Sequence, residues 1–247
     1  MRSTTRAWIC GALAAGAAAA APAAARAQAG ALRDLPLVEV PVRGRPAGGL
    51  IAVLLTADGG WVTLDRGVAA GLAADGVPVV GWSSLDYYRR PRTPELASAD
   101  LARVLRHYLD AWGGRRVLLV GYSFGADVLP LLVNRLPGDL RARVAGVALI
   151  GFSPDAVFEF HRSEWVGVVR GRRYPTLGEV RRLGGVPLLC VYGRGDPDEA
   201  CDRLGMPNAR VVAIASGHRM GPVTAAVGEA VRREARELVR PPGGGGG

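Results

Sequence analysis

Residues 116–125 read Arg-Val-Leu-Leu-Val-Gly-Tyr-Ser-Phe-Gly, and this stretch decides the fold. The apolar run at 117–120 predicts a buried strand, and the apolar spacing from Phe124 onwards predicts a helix. Between them, a Gly-x-Ser-x-Gly motif places Ser123 on a sharp turn, where crowding by neighbouring backbone requires small residues at Gly121 and Gly125. Strand, motif and helix in this order are typical of a serine nucleophile presented at the edge of a parallel sheet.

Strand-like and helix-like segments alternate on both sides of this motif. Strands are predicted at residues 37–42, 50–55, 77–82, 116–120, 144–150, 186–192 and 210–215. Helices are predicted at 64–72, 93–112, 124–136 and 223–239, the second of them starting at Thr93-Pro94. Such alternation predicts a mostly parallel sheet with helices on both faces, and with the serine motif it predicts an α/β-hydrolase. The irregular segment 153–184 is predicted to form a small cap over the site.

The first 29 residues have the features of a secretory signal peptide. Arg2 and Arg6 precede an Ala-rich apolar run, and Ala27-Gln28-Ala29 is a small-x-small cleavage site. Cleavage after Ala29 would leave one domain, residues 30–240, in the periplasm. No later apolar segment is long enough to span a bilayer. The Gly-rich tail, residues 241–247, consists of two prolines and five glycines, so it has few side-chain atoms to pack and is predicted to be disordered.

The formal net charge is +9, and every basic residue is an arginine. Two interpretations of this excess are a solvated basic surface and attraction to anionic lipid headgroups, which would give peripheral membrane contact. The sequence has no basic run interleaved with aromatic residues, so nucleic acid is not an expected partner.

A serine hydroxyl needs a general base, and the chain has three histidines. His218 follows the last predicted strand, which fits the order serine, acid, histidine of this fold. His107 falls on the polar face of its helix and is interpreted as a surface residue. His161 lies in the predicted cap, where it is the rival candidate for the base and a candidate to contact the substrate. We therefore predict that His218 is the base.

The acid that orients this histidine is expected after the penultimate strand, which ends near Tyr192. Two aspartates follow, Asp196 at the usual distance from the strand end and Asp198 two residues later. Both stay candidates, because the spacing alone does not separate them. The aspartate that is not the acid would serve as a turn or helix cap.

Two cysteines remain in the mature chain after Cys10 leaves with the signal peptide. Cys190 and Cys201 form an even pair in an oxidising compartment, so we predict a disulfide that braces the loop carrying both aspartates. A metal site is not predicted, because no further Cys or His lies near them in sequence.

An oxyanion hole needs two backbone N–H groups. Phe124, directly after the nucleophile, is the first predicted donor. The second is assigned to Asp58 in the glycine-rich loop 56–61, with Gly59 as the alternative. Acidic groups near the site would receive a cationic part of the substrate, and the predicted substrate contacts are Asp86, Asp127, Trp61 and His161.

In these motifs the chain resembles the VirJ/AcvB family of bacterial virulence-associated proteins. The most specific segment is Gly-Tyr-Ser-Phe-Gly-Ala-Asp-Val-Leu-Pro at 121–130. The other segments that carry the resemblance are Asp58-Gly59-Gly60-Trp61, residues 76–81 with Ser84-Leu85, residues 134–137, Phe158-Glu159 with His161 and Trp165, residues 190–193, Asp198 with Cys201, and Gly217-His218. It covers almost all of the mature chain.

This resemblance implies a periplasmic α/β-hydrolase. In two-domain members it implies hydrolysis of aminoacylated phosphatidylglycerol, especially the lysyl form, whereas single-domain members look related to type IV secretion and virulence. The chain matches one such domain, and it has Arg219 where the family is expected often to show another His. The resemblance favours Asp198 as the acid.

Together these patterns predict a serine hydrolase that cleaves a carboxylic ester without a metal or organic cofactor. The expected substrate is an ester on an anionic membrane lipid. The alternative is a periplasmic binding factor that assists secreted proteins or a secretion-system protein. A thioesterase or lipase would share the same three residues and differ only in its pocket.

Overall fold

The structure is a computed structural model that describes residues 32–159 and 172–240. Its strands are β1 Leu37–Val40, β2 Leu50–Leu55, β3 Val79–Trp82, β4 Arg116–Tyr122, β5 Val144–Ile150, β6 Asp155–Ala156, β7 Tyr174–Pro175, β8 Leu188–Gly193 and β9 Ala209–Ile214. Its α-helices are α1 Thr63–Ala74, α2 Ser84–Tyr87, α3 Pro94–Ala111, α4 Phe124–Asn134, α5 Gly138–Arg141, α6 Leu177–Arg181 and α7 Thr224–Val239.

Seven of these strands form one sheet in the order β1-β3-β2-β4-β5-β8-β9. All neighbours pair in parallel except β1, which runs antiparallel to β3 at the edge. The strand order reverses beside β4, so the carboxyl ends of the parallel strands open into a crevice where this class of sheet binds ligands. The prediction of a mostly parallel sheet is confirmed.

Helices cover the sheet on both faces, which explains why the central strands are continuously apolar. Every residue of β2 is buried. Ile51 and Val53 face a core shared with α3 and α4, whereas Leu50 and Ala52 face a second core shared with α1 and α7. Two-sided burial removes the alternation of polar and apolar residues that a half-exposed strand shows.

The sequence signals at helix starts agree with the structure. Thr93 caps α3, because its Oγ1 accepts a hydrogen bond from the Leu96 N–H at 3.2 Å, and Pro94 occupies the first turn. Helix α4 begins at Phe124, immediately after the serine of the motif. Strand β4 is two residues longer than predicted, because Gly121 and Tyr122 continue its pairing with β5.

The segment between β5 and β8 is only partly described. Strands β6 and β7 pair as a short antiparallel ladder, and α6 follows them. Residues 160–171, with His161 and most of the predicted cap, lie outside the described residues, as do the predicted signal peptide and the predicted glycine-rich tail. Within the described ranges, no helix is long and apolar enough to cross a membrane.

Candidate active site

Ser123 occupies a strained turn between β4 and α4. With φ 49° and ψ −116° it is the one non-glycine residue of the described ranges that has a positive φ. Its backbone N–H donates to the Ile150 carbonyl oxygen at 2.7 Å, which holds the turn against β5. Such a conformation costs energy and is retained mainly where function requires it.

The flanking glycines are required by close backbone contacts. A Cβ atom at Gly121 would lie 2.5 Å from the Gly125 carbonyl oxygen, and one at Gly125 would lie 2.3 Å from the Leu55 carbonyl oxygen. Both distances are far below a normal contact, so a larger residue at Gly121 would collide with the backbone of α4, and one at Gly125 would push α4 away from β2. The predicted reason for the two glycines therefore matches the geometry of the turn.

The imidazole of His218 lies beside the serine hydroxyl. Ser123 Oγ and His218 Nε2 are 2.8 Å apart, which is hydrogen-bond distance. His218 comes from the loop after β9, at the same edge of the sheet as Ser123, and its side chain is 40% exposed. The other described histidine, His107, is on α3 and contacts the ring of Tyr108 instead.

Asp196 is the carboxylate that contacts the histidine. His218 Nδ1 lies 2.7 Å from Asp196 Oδ2, and the Asp196 side chain is only 2% exposed. An ionised carboxylate only accepts hydrogen bonds, so Nδ1 carries the proton and Nε2 is left to accept from Ser123. Asp198, which the resemblance favours, is exposed, and the carboxylate at hydrogen-bond distance from Nδ1 is that of Asp196. Its backbone N–H donates to Asp196 Oδ1 at 3.0 Å and so occupies the second carboxylate oxygen.

A close approach of two loops brings Asp196 to His218. A Cβ atom at Gly193 would lie 2.3 Å from the Gly217 carbonyl oxygen. The Gly195 N–H donates to the Ser216 carbonyl oxygen at 3.0 Å, which joins the loop after β8 to the loop after β9. Sequence reasoning did not assign a role to Gly193, although a glycine at the end of a strand next to the acid is a usable signal.

The predicted disulfide is confirmed: Cys190 and Cys201 are bonded. Cys190 lies in β8 and Cys201 begins a short 3-10 helix, and both are buried. The intervening loop carries Asp196 and Glu199. Burial is the main cause that raises the pKa of Glu199 from 4.5 to about 7.

The predicted oxyanion donors lie at the same edge of the sheet. The Phe124 N–H is in the first turn of α4, where the N–H groups point beyond the N-terminal end of the helix. Asp58 and Gly59 lie in the loop after β2, and the first residue of that loop contacts the start of α4, since a Cβ at Gly125 would lie 2.7 Å from the Thr56 carbonyl oxygen. Among the described residues, the Asp58 N–H has no hydrogen-bond acceptor. Their role in holding an oxyanion stays a prediction.

Thr56, which sequence reasoning missed, fixes this loop. Its hydroxyl donates to the Ala57 carbonyl oxygen at 2.9 Å and accepts from the Ser84 N–H at 3.0 Å. The side chain is fully buried. A threonine directly after a buried strand carries little signal in sequence, because the same residue is common in ordinary turns.

Asp127 lies one helical turn beyond Ser123 and is close to the site. Its Oδ1 accepts a hydrogen bond from the Ser153 N–H at 2.7 Å. Burial raises the pKa of its carboxyl well above the usual range, and the nearby charges of Asp196 and Asp155 act in the same direction. Whether it contacts a substrate stays a prediction.

The remaining predicted substrate contacts are Trp61, Asp86 and His161. The Trp61 ring packs on β3, where a Cβ at Gly81 would lie 2.3 Å from it. Asp86 accepts from the Ser83 hydroxyl at 2.7 Å and pairs with Arg89 at 3.2 Å, so these contacts already engage its carboxylate. His161 lies outside the described residues.

The chain was compared with models of protein families. The model of the bacterial virulence protein VirJ matches residues 49–237, a range that includes Ser123, Asp196 and His218. The chain belongs to the VirJ family. A comparison of this VirJ-family chain with curated protein sequences gave no match.

Solved structures give the fold of this VirJ-family chain. The esterase domain of a Rhodothermus marinus protein is 18% identical, with 83% of this chain and 92% of that one covered and a TM-score of 0.59. Est1E from Butyrivibrio proteoclasticus is 16% identical, with coverages of 82% and 93% and a TM-score of 0.60. An α/β serine hydrolase homologue from Coxiella burnetii is 15% identical, with coverages of 80% and 90% and a TM-score of 0.56. The fold is that of an α/β-hydrolase.

Proposed function

We propose that this protein is a periplasmic serine hydrolase that cleaves a carboxylic ester with Ser123, His218 and Asp196 as its triad. One observation carries the proposal: two hydrogen-bond distances, 2.8 Å and 2.7 Å, join the serine hydroxyl, the imidazole and a buried carboxylate in one line. The strained backbone at Ser123 supports it, because that turn presents the hydroxyl at the sheet edge.

The reaction follows from the positions of the protons. His218 Nε2 accepts the Ser123 proton as Oγ attacks the ester carbonyl carbon. The imidazolium then gives this proton to the leaving alcohol, and the acyl group stays on Oγ. His218 next takes a proton from water, whose oxygen attacks the acyl carbon, and the proton returns to Ser123 as the acid leaves. Asp196 holds the imidazole orientation and stabilises its positive charge throughout.

The developing oxyanion is assigned to the N–H groups of Phe124 and Asp58. Phe124 begins α4, and Asp58 lies in the loop after β2, whose first residue contacts the start of that helix, so the positive end of the helix dipole acts in the same direction. Donors of this kind contribute a factor of about 10² or more to the rate.

For the substrate we propose an aminoacyl ester of phosphatidylglycerol, the lysyl form above all. The family resemblance, the arginine-rich composition and the disulfide, which fits an oxidising compartment, support this choice. Asp127 is the candidate to receive the substrate ammonium group, because its carboxyl lies one turn from Ser123. A cation beside it would favour its ionised form and so offset the effect of burial.

The test is release of lysine from lysyl-phosphatidylglycerol by the purified protein, compared with Ser123→Ala. Release by the wild type alone supports both the triad and the substrate. Labelling of the wild type but not of Ser123→Ala by a fluorophosphonate, without lysine release, supports the triad and overturns the lipid substrate. Absence of labelling contradicts serine catalysis.

A second candidate, a secretion-associated binding factor, is favoured by the description of the matching family as a virulence protein. This role predicts that Ser123→Ala keeps the virulence-related function of the wild type in cells. A hydrolytic role predicts its loss, so the same variant separates the two.

A further inference from the structure

A groove of about 470 Å³ lies on one side of the sheet edge that carries Ser123. Residues from the segment before β1 and from the segment after β3 line it. Because β1 is antiparallel to β3, its first residue pairs with the last residue of β3, so both segments lie at the carboxyl edge. The lining consists of Arg33, Asp34, Leu35, Pro36, Asp86, Tyr87, Arg89, Arg90 and Arg92.

The charges of this arginine groove are not balanced within the described residues. Asp34 is engaged by Arg103 outside the groove, at 2.7 and 2.9 Å, and Asp86 is engaged by Arg89. Among the described residues, the three remaining lining arginines have no carboxylate within ion-pair distance. They are Arg33, Arg90 and Arg92.

Arg92 is the arginine whose surroundings point to a ligand. Its guanidinium lies 4.5 Å from the centre of the Tyr87 ring, a cation–π contact. Its Nε is buried without a hydrogen-bond partner among the described residues. A buried charged donor left unpaired is costly, and an anionic oxygen entering the groove would offset that cost.

Ring contacts connect the groove to the nucleophile. The Tyr87 and Tyr88 rings are 4.8 Å apart, and Tyr88 is 4.9 Å from Phe124, the residue after Ser123. The groove and Ser123 therefore lie at one edge of the sheet, and the aromatic cluster beside the groove extends to the residue after Ser123. A flat anionic surface placed against the groove would also face the edge on which Ser123 lies.

We infer that the arginine groove docks the protein on the phosphates of an anionic phospholipid bilayer and so presents the active-site edge to the lipid. The functional reason for docking rests on the proposed function, because it assumes a lipid substrate. Binding to the bilayer can be measured without any turnover. A bilayer is favoured over a single soluble phosphate because three unpaired arginines are spread along an open groove beside the site. Arginines near an anionic surface contribute additively to binding.

The test measures binding to vesicles of mixed phosphatidylglycerol and phosphatidylcholine, with pure phosphatidylcholine vesicles as reference. The variant is Arg33→Gln/Arg90→Gln, which removes two exposed arginines of the groove. The matched control is Arg43→Gln/Arg45→Gln, which removes two exposed arginines of the turn after β1, at the opposite edge of the sheet. Thermal melting checks that each variant is folded.

We expect the groove variant to bind the anionic vesicles more weakly by roughly tenfold to thirtyfold. The control should bind as the wild type does, and added salt should weaken wild-type binding. If both variants weakened vesicle binding equally, the effect would be one of general charge, and the inference that the groove is the docking site would be wrong. The inference would also be wrong if the wild-type protein did not bind anionic vesicles. It would be wrong as well if a modest concentration of glycerol phosphate displaced the protein from them. Fluorophosphonate labelling of the wild type tests the proposed catalysis separately. A failure of membrane docking can therefore be distinguished from a failure of the proposed serine catalysis.

Discussion

The backbone N–H of Asp198 donates to the Asp196 carboxylate at 3.0 Å, so the two aspartates that the sequence offers as alternatives form one unit. Asp196 contacts the imidazole, and Asp198 supports Asp196 through its main chain. Because Asp198 makes this contact through its backbone N–H, its side chain can change while the contact persists. The contact of Asp196 with His218 is made by its side chain, so a substitution there removes the contact.

Asp196→Asn should therefore lower kcat by about 10⁴, since an amide stabilises the wrong imidazole tautomer. Asp198→Ala should keep kcat within about tenfold, because the backbone N–H remains to satisfy Asp196. Steady-state kinetics with a soluble ester measure both, and circular dichroism checks folding. A larger loss in Asp198→Ala than in Asp196→Asn would assign the acid to Asp198.

A methyl group at Gly193 should move the His218 imidazole away from the Asp196 carboxylate. The Cβ of Gly193→Ala would lie 2.3 Å from the Gly217 carbonyl oxygen, so the loop that carries His218 must move. We expect kcat/KM to fall by about 10² or more, because small displacements of catalytic groups have large effects on rate. Gly185→Ala is the control, since a Cβ there meets no atom within 4 Å. Equal activity of the two variants would contradict a tight contact between the loops.

Opening the disulfide should loosen the loop that carries Asp196. Cys190 and Cys201 are 11 residues apart, and closing a loop of that length stabilises a protein by about 3 kcal/mol in the chain-entropy account. Cys190→Ala/Cys201→Ala should lower the free energy of unfolding by about that amount and reduce kcat. Denaturant unfolding measures the first effect. A reducing agent present during unfolding should shift the wild type towards the variant and leave the variant unchanged. A variant that is as stable as the wild type would show that the bond is dispensable.

The fold could be predicted from the sequence because its signals are local. Strand β2 and strand β5 have the predicted bounds, since each is an unbroken apolar run that two-sided burial requires. The turn at Ser123 was predictable for a similar reason, because steric crowding leaves only glycine at its two flanking positions.

Which of the two aspartates contacts His218 could not be predicted in the same way. Asp196 and Asp198 have similar spacing from β8, and the turn between them, not their distance along the chain, decides which carboxylate meets His218. The arginine groove escaped prediction too, because it joins residues before β1 with residues after β3, and only the antiparallel pairing of β1 brings them together.

A second carboxyl on the loop braced by the disulfide should make the stability depend on pH. Burial raises the pKa of Glu199 from 4.5 to about 7, its Oε1 accepts from the Asp202 N–H, and its Oε2 is buried without a partner among the described residues. Between pH 4.5 and about 7, the Glu199 carboxyl therefore holds a proton in the folded state that it releases in the unfolded state. The stability that this proton gives is fully present below pH 4.5 and is lost as the pH rises through about 7.

Glu199→Gln removes this titration and keeps the side-chain length. Its free energy of unfolding relative to the wild type should rise between pH 4.5 and about 7 and stay constant above that range. Denaturant unfolding across this interval measures the difference. Glu229→Gln, which removes an exposed carboxylate from α7, serves as the control and should not reproduce the trend. A Glu199→Gln difference that is flat with pH would show that Glu199 titrates alike in the folded and unfolded chains.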